Sequence, residues 1–165
     1  MNANIDREQG GVDLDDGSQG LQVQNWIGFV DGDNLKVGPT AETAPTILVR
    51  PGVTTFSFTF DQNMRATLAY TQAGVAKLYW FDTNINAMTE SSFAGASYPR
   101  LALDDKRALQ SLVRDIIFAY IRNDNLYYRQ QRDRYTIEYL LKIGVRGRLR
   151  NIGLTQNNRL QFMFS

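Results

Sequence analysis

The chain contains no cysteine and no histidine. Their absence excludes disulfide staples, Ser-His-Asp and Cys-His nucleophiles, thiolate or imidazole metal sites, histidine-ligated haem and a histidine pH switch. Only carboxylates, Lys, Arg, Tyr, Ser and Thr remain for catalysis. Long apolar runs are missing too, and no stretch reaches the length of a membrane span. Residues 1–24 hold Asp6, Glu8, Asp13, Asp15 and Asp16 without an apolar run, so they do not read as a signal peptide. The expectation is a soluble chain with no membrane partner.

What is present is aromatic mass. Hydrophobic residues make up 43% of 165 residues and aromatics 12%, with 9 Phe, 8 Tyr and 2 Trp. That length suits one domain whose core is filled by large rings. Charge is uneven. Residues 1–90 carry 5 Lys+Arg against 11 Asp+Glu, a net of −6, whereas residues 91–165 carry 13 against 6, a net of +7. Unlike ends on one small subunit suit head-to-tail association. The rival reading is that the charges interleave and cancel within the fold.

Residues 1–24 are rich in Gly, Asp, Gln and Asn and lack any period, which predicts a flexible acidic arm ahead of a single β-rich domain over 25–165. Within that domain a pattern returns. Ile27-Gly28-Phe29-Val30, a polar turn and Leu35-Lys36-Val37 align without a gap on Phe118-Ala119-Tyr120-Ile121 and Leu126-Tyr127-Tyr128, and on Ile152-Gly153-Leu154-Thr155 and Leu160-Gln161-Phe162. A fourth copy, Leu68-Ala69-Tyr70-Thr71 then Leu78-Tyr79-Trp80, aligns with two extra residues around Ala73-Gly74. Alternating strands flanking Asp-Gly, Asn-Asp or Asn-Asn form hairpins. Gly28, Ala69, Ala119 and Gly153 share one repeat position, where a small side chain lets a neighbour lie close.

The copies begin at 27, 68, 118 and 152. Their separations bracket the roughly 40 to 45 residues of a four-stranded propeller blade. The predicted fold is therefore mainly β: antiparallel hairpin repeats, blade-like, as a propeller-like or partial-propeller array. One segment has a rival. Ala108, Leu109, Leu112, Val113, Ile116, Ile117 and Tyr120 recur near the helical period, so a helix over 105–122, or a short one near 105–117, competes with the third hairpin.

The polar-aromatic stretch Tyr127, Tyr128, Arg129, Gln130, Gln131, Arg132, Asp133, Arg134 and Tyr135 reads as a strand presenting Arg to a partner, or as a platform that stacks sugars or bases. Tyr79 and Trp80 extend that platform in a glycan-binding reading. Arg146, Arg148 and Arg150 alternate, which on a strand sets three guanidinium groups on one face. A pI near 7.9 and many carboxylates argue against nucleic acid, leaving an anionic patch of a neighbouring subunit, such as the acidic arm, as counterpart. The Asp13, Asp15, Asp16 and Asp31, Asp33, Asn34 clusters lack the twelve-residue calcium pattern and read as turns, so no metal and no cofactor are expected. Scattered Asp61, Asp82, Glu90, Asp133 and Glu138 give no reason to expect an enzyme.

Residues 51–165 resemble small virion and tail proteins of tailed bacteriophages. The likeness is carried by Val49-Arg50-Pro51-Gly52-Val53, Leu78-Tyr79-Trp80-Phe81-Asp82, Tyr98-Pro99-Arg100-Leu101-Ala102-Leu103-Asp104-Asp105 and Leu126-Tyr127-Tyr128-Arg129-Gln130-Gln131-Arg132-Asp133-Arg134. The resemblance implies a non-enzymatic virion component, assembled in the host cytoplasm, that contacts copies of itself and other virion proteins in a tail or baseplate. A receptor module binding host surface glycan and a capsid decoration protein are the alternatives.

Overall fold

The chain alternates short apolar-patterned segments with turn residues, and nearly every such segment forms a strand. The computed structural model describes residues 8–14, 22–31, 34–39, 48–61, 65–104, 115–154 and 159–165. By internal contacts the chain divides into Met1–Thr54 and Thr55–Ser165.

The first unit holds one antiparallel sheet in the order β1 (Glu8–Leu14), β2 (Gln22–Asp31), β3 (Asn34–Pro39) and β4 (Leu48–Pro51). Glu8–Leu14 and the start of β2 fall within the stretch read as an arm; residues 1–7 and 15–21 lie outside the described residues. Gly28 pairs with Val37 and Asp31 with Asn34, which is the hairpin of the first repeat. Leu35 and Val37 are buried and flank half-buried Lys36, the period of two that a one-sided core demands.

Three sheets follow. The strands β5 (Val53–Phe60), β6 (Ala66–Gln72), β7 (Val75–Asp82) and β8 (Ala87–Phe93) form a meander. So do β9 (Ser97–Asp104), β10 (Asp115–Arg122), β11 (Asn125–Gln130) and β12 (Tyr139–Lys142), and β13 (Leu149–Leu154) pairs with β14 (Leu160–Phe164). A single 3-10 turn, Gln131–Asp133, follows β11. The fold is thus mainly β and built of blade-like antiparallel sheets, with each repeated hairpin at the centre of a meander or forming the last pair.

Registers refine the repeat. In the third copy Ala119 pairs with Tyr128 and Arg122 with Asn125, closed by Asn123 and Asp124 at φ 50° and 57°. In the second copy Ala69 pairs with Leu78 and Gln72 with Val75, closed by Ala73 and Gly74 at φ 49° and 75°. Both are tight turns with two left-handed residues. The second copy therefore has no inserted residues: Leu78 occupies the place of Val37 and Tyr128, and Ala76 that of Leu35 and Leu126. Turn chemistry sets the register, and the matching leucine misled the alignment. In the last copy Gly153 pairs with Gln161 and Leu154 with Leu160; residues 155–158 lie outside the described residues.

Strand β10 explains the helical appearance of its sequence. Ile116, Phe118 and Tyr120 pack with Ala69, Ala76, Leu78 and Trp80 of the preceding sheet. Ile117, Ala119 and Ile121 pack with Val145, Leu149 and Ile152. A strand covered on both faces needs apolar residues at every position, and such a run mimics helical spacing by chance. Residues 115–122 are strand, not helix; residues 105–114 lie outside the described residues. The shared small position has a related cause. Ala69 and Ala119 lie on the face that the following sheet covers, whereas a Cβ on Gly153 would meet nothing within 4 Å. Close approach thus accounts for the two alanines and not for Gly153.

One side chain ties the three sheets together. Arg100 on β9 is 7% exposed; its Nε donates to the Arg150 carbonyl at 2.6 Å, and its Nη1 to the carbonyls of Phe56 at 3.2 Å and Pro99 at 3.0 Å. Beside it the Leu101 amide donates to Ser57 Oγ at 3.1 Å. A buried guanidinium is tolerable only when its fixed fork of donors is satisfied, and here backbone carbonyls of three strands supply the acceptors.

Candidate functional site

Two tyrosines at one repeat position organise the polar side chains of the second unit. Tyr70 and Tyr120 are wholly buried, so each hydroxyl needs a partner inside the fold. Tyr70 donates to Glu90, which also accepts from Lys77 Nζ at 3.0 Å. Tyr120 donates to Glu138, which also binds Arg122. Glu90 lies across from Tyr79, and Glu138 holds the matching place just before β12, so the Tyr-Glu pair belongs to the repeat. Burial, and then the hydrogen bond to Glu138, push the Tyr120 hydroxyl up to about 12.

Three of the six arginines expected to face a partner are engaged inside the fold instead. Arg129 Nε donates to Tyr120 Oη at 2.9 Å, and its Nη1 to the carbonyls of Tyr135 and Thr136 at 2.7 and 3.0 Å. Arg132 Nε lies 3.3 Å from Asp115 Oδ2, and Arg132 donates through Nε and Nη2 to Gln130 Oε1. Arg134 grips Asp82 with two bonds, Nε to Oδ1 at 3.2 Å and Nη2 to Oδ2 at 2.5 Å. That guanidinium holds the Asp82 carboxyl below its usual range.

The rings are engaged as well. Trp80 is 4% exposed and meets Tyr135 edge-on at 5.1 Å, so it offers no face to a sugar. Tyr79 is half-buried. Tyr127 stacks on Tyr120 at 6.1 Å beneath Arg122, and Tyr128 stacks on Tyr139 at 4.9 Å. The five scattered carboxylates are held too: Asp61 by Arg65 at 2.8 Å, Asp82 by Arg134, Glu90 and Glu138 as above, and Asp133 by the Tyr139 hydroxyl at 2.8 Å.

Arg146, Arg148 and Arg150 differ from all of these. Each is exposed, while Val145 before them and Leu149 between Arg148 and Arg150 are buried. Arg148 and Ser165 exchange two backbone hydrogen bonds, at 2.9 and 3.1 Å. Gly147 makes that approach feasible: its φ is +100°, and a Cβ there would stand 2.3 Å from the Ser165 carbonyl oxygen. Arg148 lies over the Tyr98 ring at 5.7 Å, and Arg150 Nε donates to Ser165 Oγ at 2.7 Å. Among the described residues no carboxylate pairs with these three arginines. The single strand face expected for the three is not formed: only Arg150 lies on β13, and Arg146 and Arg148 precede it on either side of Gly147, so what the structure shows is three exposed cations in one short stretch, able to meet carboxylates or other anions.

Sequence reasoning singled out this stretch but missed Tyr70, Arg100, Asp115 and Gly147. The one signal for the tyrosines was Ala-Tyr recurring in the second and third copies. No protein-family model, curated protein or solved structure matches the chain.

Proposed function

We propose that the chain is a non-enzymatic virion structural protein of a tailed bacteriophage, a tail or baseplate component that assembles with copies of itself and with other virion proteins. The observation that carries the self-association is the disposition of charge. Met1–Thr54 holds 3 Lys+Arg against 8 Asp+Glu, a net of −5, and Thr55–Ser165 holds 15 against 9, a net of +6. In the second unit the buried carboxylates take internal cations, which leaves Arg146, Arg148 and Arg150 without an acid among the described residues. Their counterpart in this reading is the acidic unit of the next copy, in a head-to-tail contact. The likeness of residues 51–165 to tail-gene products supports the virion setting.

Sedimentation at increasing ionic strength tests the self-association. The expected result is an oligomer that dissociates as salt rises, and that is lost in the triple variant Arg146→Glu, Arg148→Glu, Arg150→Glu. A wild-type chain that stays monomeric at low salt and high concentration removes the reading.

A further inference from the structure

Three tyrosines of the second unit are buried, and two of them have an acid for their hydroxyl. Tyr70 donates to Glu90 and Tyr120 to Glu138, whereas the hydroxyl of Tyr135, a residue only 3% exposed, has no hydrogen-bond partner among the described residues. Folded chains seldom leave a buried polar group in that condition. The backbone is also strained to place this ring. Arg134 and Tyr135 are consecutive non-glycine residues in the left-handed region, at φ 51° and 55°, and such conformations persist only where the surroundings over-determine them. Here the Tyr135 ring meets Trp80 edge-on at 5.1 Å and Phe118 edge-on at 6.4 Å, its carbonyl accepts from Arg129 Nη1 at 2.7 Å, and its amide donates to the Gln130 carbonyl at 3.0 Å. With ring and backbone both fixed, the hydroxyl cannot swing out to find a partner in solvent. Two carboxylates act on it. Asp115, at the start of β10, and Asp61, just after β5, are each 4% exposed. Asp115 is tied to the same turn as the tyrosine, since its Oδ1 accepts from the Arg132 amide at 3.0 Å and its Oδ2 lies 3.3 Å from Arg132 Nε. Asp61 accepts from the Arg65 amide at 2.9 Å and from Arg65 Nε at 2.8 Å. Burial, then the charge of Asp115, then that of Asp61, push the Tyr135 hydroxyl well above its ordinary range, so it lies in the field of both acids and keeps its proton. Neither acid bonds it directly.

From these groups we infer a buried water site that joins the Tyr135 hydroxyl to the carboxylates of Asp115 and Asp61, and so links the end of β5, the start of β10 and the turn after β11. The count of donors and acceptors selects water. A protonated tyrosine donates one hydrogen, which the water oxygen accepts. The two hydrogens of the water go to the two acids, whose oxygens each accept more than one bond. A metal ion fits less well, because Arg65 and Arg132 already balance the two negative charges and a cation would meet their guanidinium groups. The water does for the third buried tyrosine what Glu90 and Glu138 do for the other two. The site stands whether or not the chain self-associates.

Tyr135→Phe removes the hydroxyl and keeps the ring. A hydroxyl bridged by water is stabilising, so the variant should lower the thermal midpoint by about 2 to 4 °C, the shift that the loss of one hydrogen bond produces in a chain of this length. An unchanged or raised midpoint overturns the inference, because deleting a hydroxyl that lacks a partner relieves a penalty. A high-resolution crystal structure of the full chain supplies the second reading. An isolated peak within about 2.6 to 3.2 Å of Tyr135 Oη and within the same reach of an oxygen of Asp115 and one of Asp61 is expected, and it should be lost in Tyr135→Phe. A direct bond from Tyr135 to either acid, or no peak beside the hydroxyl, overturns the site even if the midpoint falls. Thermal unfolding with added calcium or potassium chloride completes the test. Equal responses of the wild type and Tyr135→Phe are expected; a midpoint that rises in the wild type alone would make the occupant a cation and overturn the water.

Discussion

The meanders β5–β8 and β9–β12 carry the same hairpin, the same left-handed turn geometry and the same buried Tyr-Glu pair, yet their surroundings differ. Each residue of β6–β7 has its counterpart 50 residues later in β10–β11. At the far end of that hairpin the charges are exchanged. Arg65 and Asp82 in one become Asp115 and Arg132 in the other; Asp115 and Arg132 pair with each other, whereas Arg65 pairs with Asp61 and Asp82 with Arg134. The comparison teaches which features the repeat holds constant. Register, turn handedness and the hydroxyl-carboxylate contact persist, while the charges at the far end of the hairpin change sign and take different partners.

The sharpest way to break this likeness is to remove core volume at matched positions. Phe118 is wholly buried and lies 4.9 Å from the Phe93 ring and 5.0 Å from that of Tyr120, in a strand covered on both faces. Its counterpart Leu68 is equally buried but carries no ring. Phe118→Ala should cost about 4 to 5 kcal/mol and Leu68→Ala about 2 to 3 kcal/mol. Urea midpoints with unchanged slopes would report both. A larger cost at Leu68 would mean that β10 is not the centre of the core.

The carboxylates come next. Glu138 receives Tyr120 and Arg122 and lies 3.5 Å from Arg129, whereas Glu90 receives Tyr70 and Lys77. Glu138→Gln keeps the shape but leaves two partly buried guanidinium groups without their acid, so a loss of about 2 kcal/mol is expected, against about 1 kcal/mol for Glu90→Gln. Denaturant unfolding of the two variants side by side checks the order. Equal losses would show that the added arginines contribute nothing to the third repeat.

The hairpin centres were legible because they rest on local chemistry: alternation over a few residues and a turn dipeptide that tolerates positive φ. The Tyr-Glu pairs were not, since Tyr70 and Glu90 are 20 residues apart and Tyr120 and Glu138 are 18 apart, on segments that meet only once the meander is folded. The role of Arg100 was not legible because its acceptors are backbone carbonyls, which leave no mark in the sequence. Trp80 looked like a ligand platform because a tryptophan near tyrosines reads alike in a core and on a surface. Alternation put Arg146, Arg148 and Arg150 on one strand face, but only Arg150 is on a strand, because Gly147 bends the chain where Arg148 meets Ser165, a neighbour distant in sequence.

The smallest effect separates the two turns. Asn123 and Asp124 are residue types that accept left-handed backbone through their short polar side chains, and Gly74 accepts it for want of a Cβ. Ala73 has neither advantage at φ 49° and bears the strain of its turn alone. The register of the second hairpin is nonetheless as tight as that of the third, so cross-strand packing around Leu68, Tyr70 and Leu78 must offset this local cost. Ala73→Asn should therefore stabilise the chain by about 0.5 to 1 kcal/mol, and Asn123→Ala should destabilise it by a similar amount. Thermal unfolding of the pair distinguishes the alternatives. Opposite shifts of similar size would mean that turn strain is a local property of the repeat. Failure of Ala73→Asn to raise the midpoint would mean that the packing of β6 on β7 dictates the turn, whatever residue occupies it.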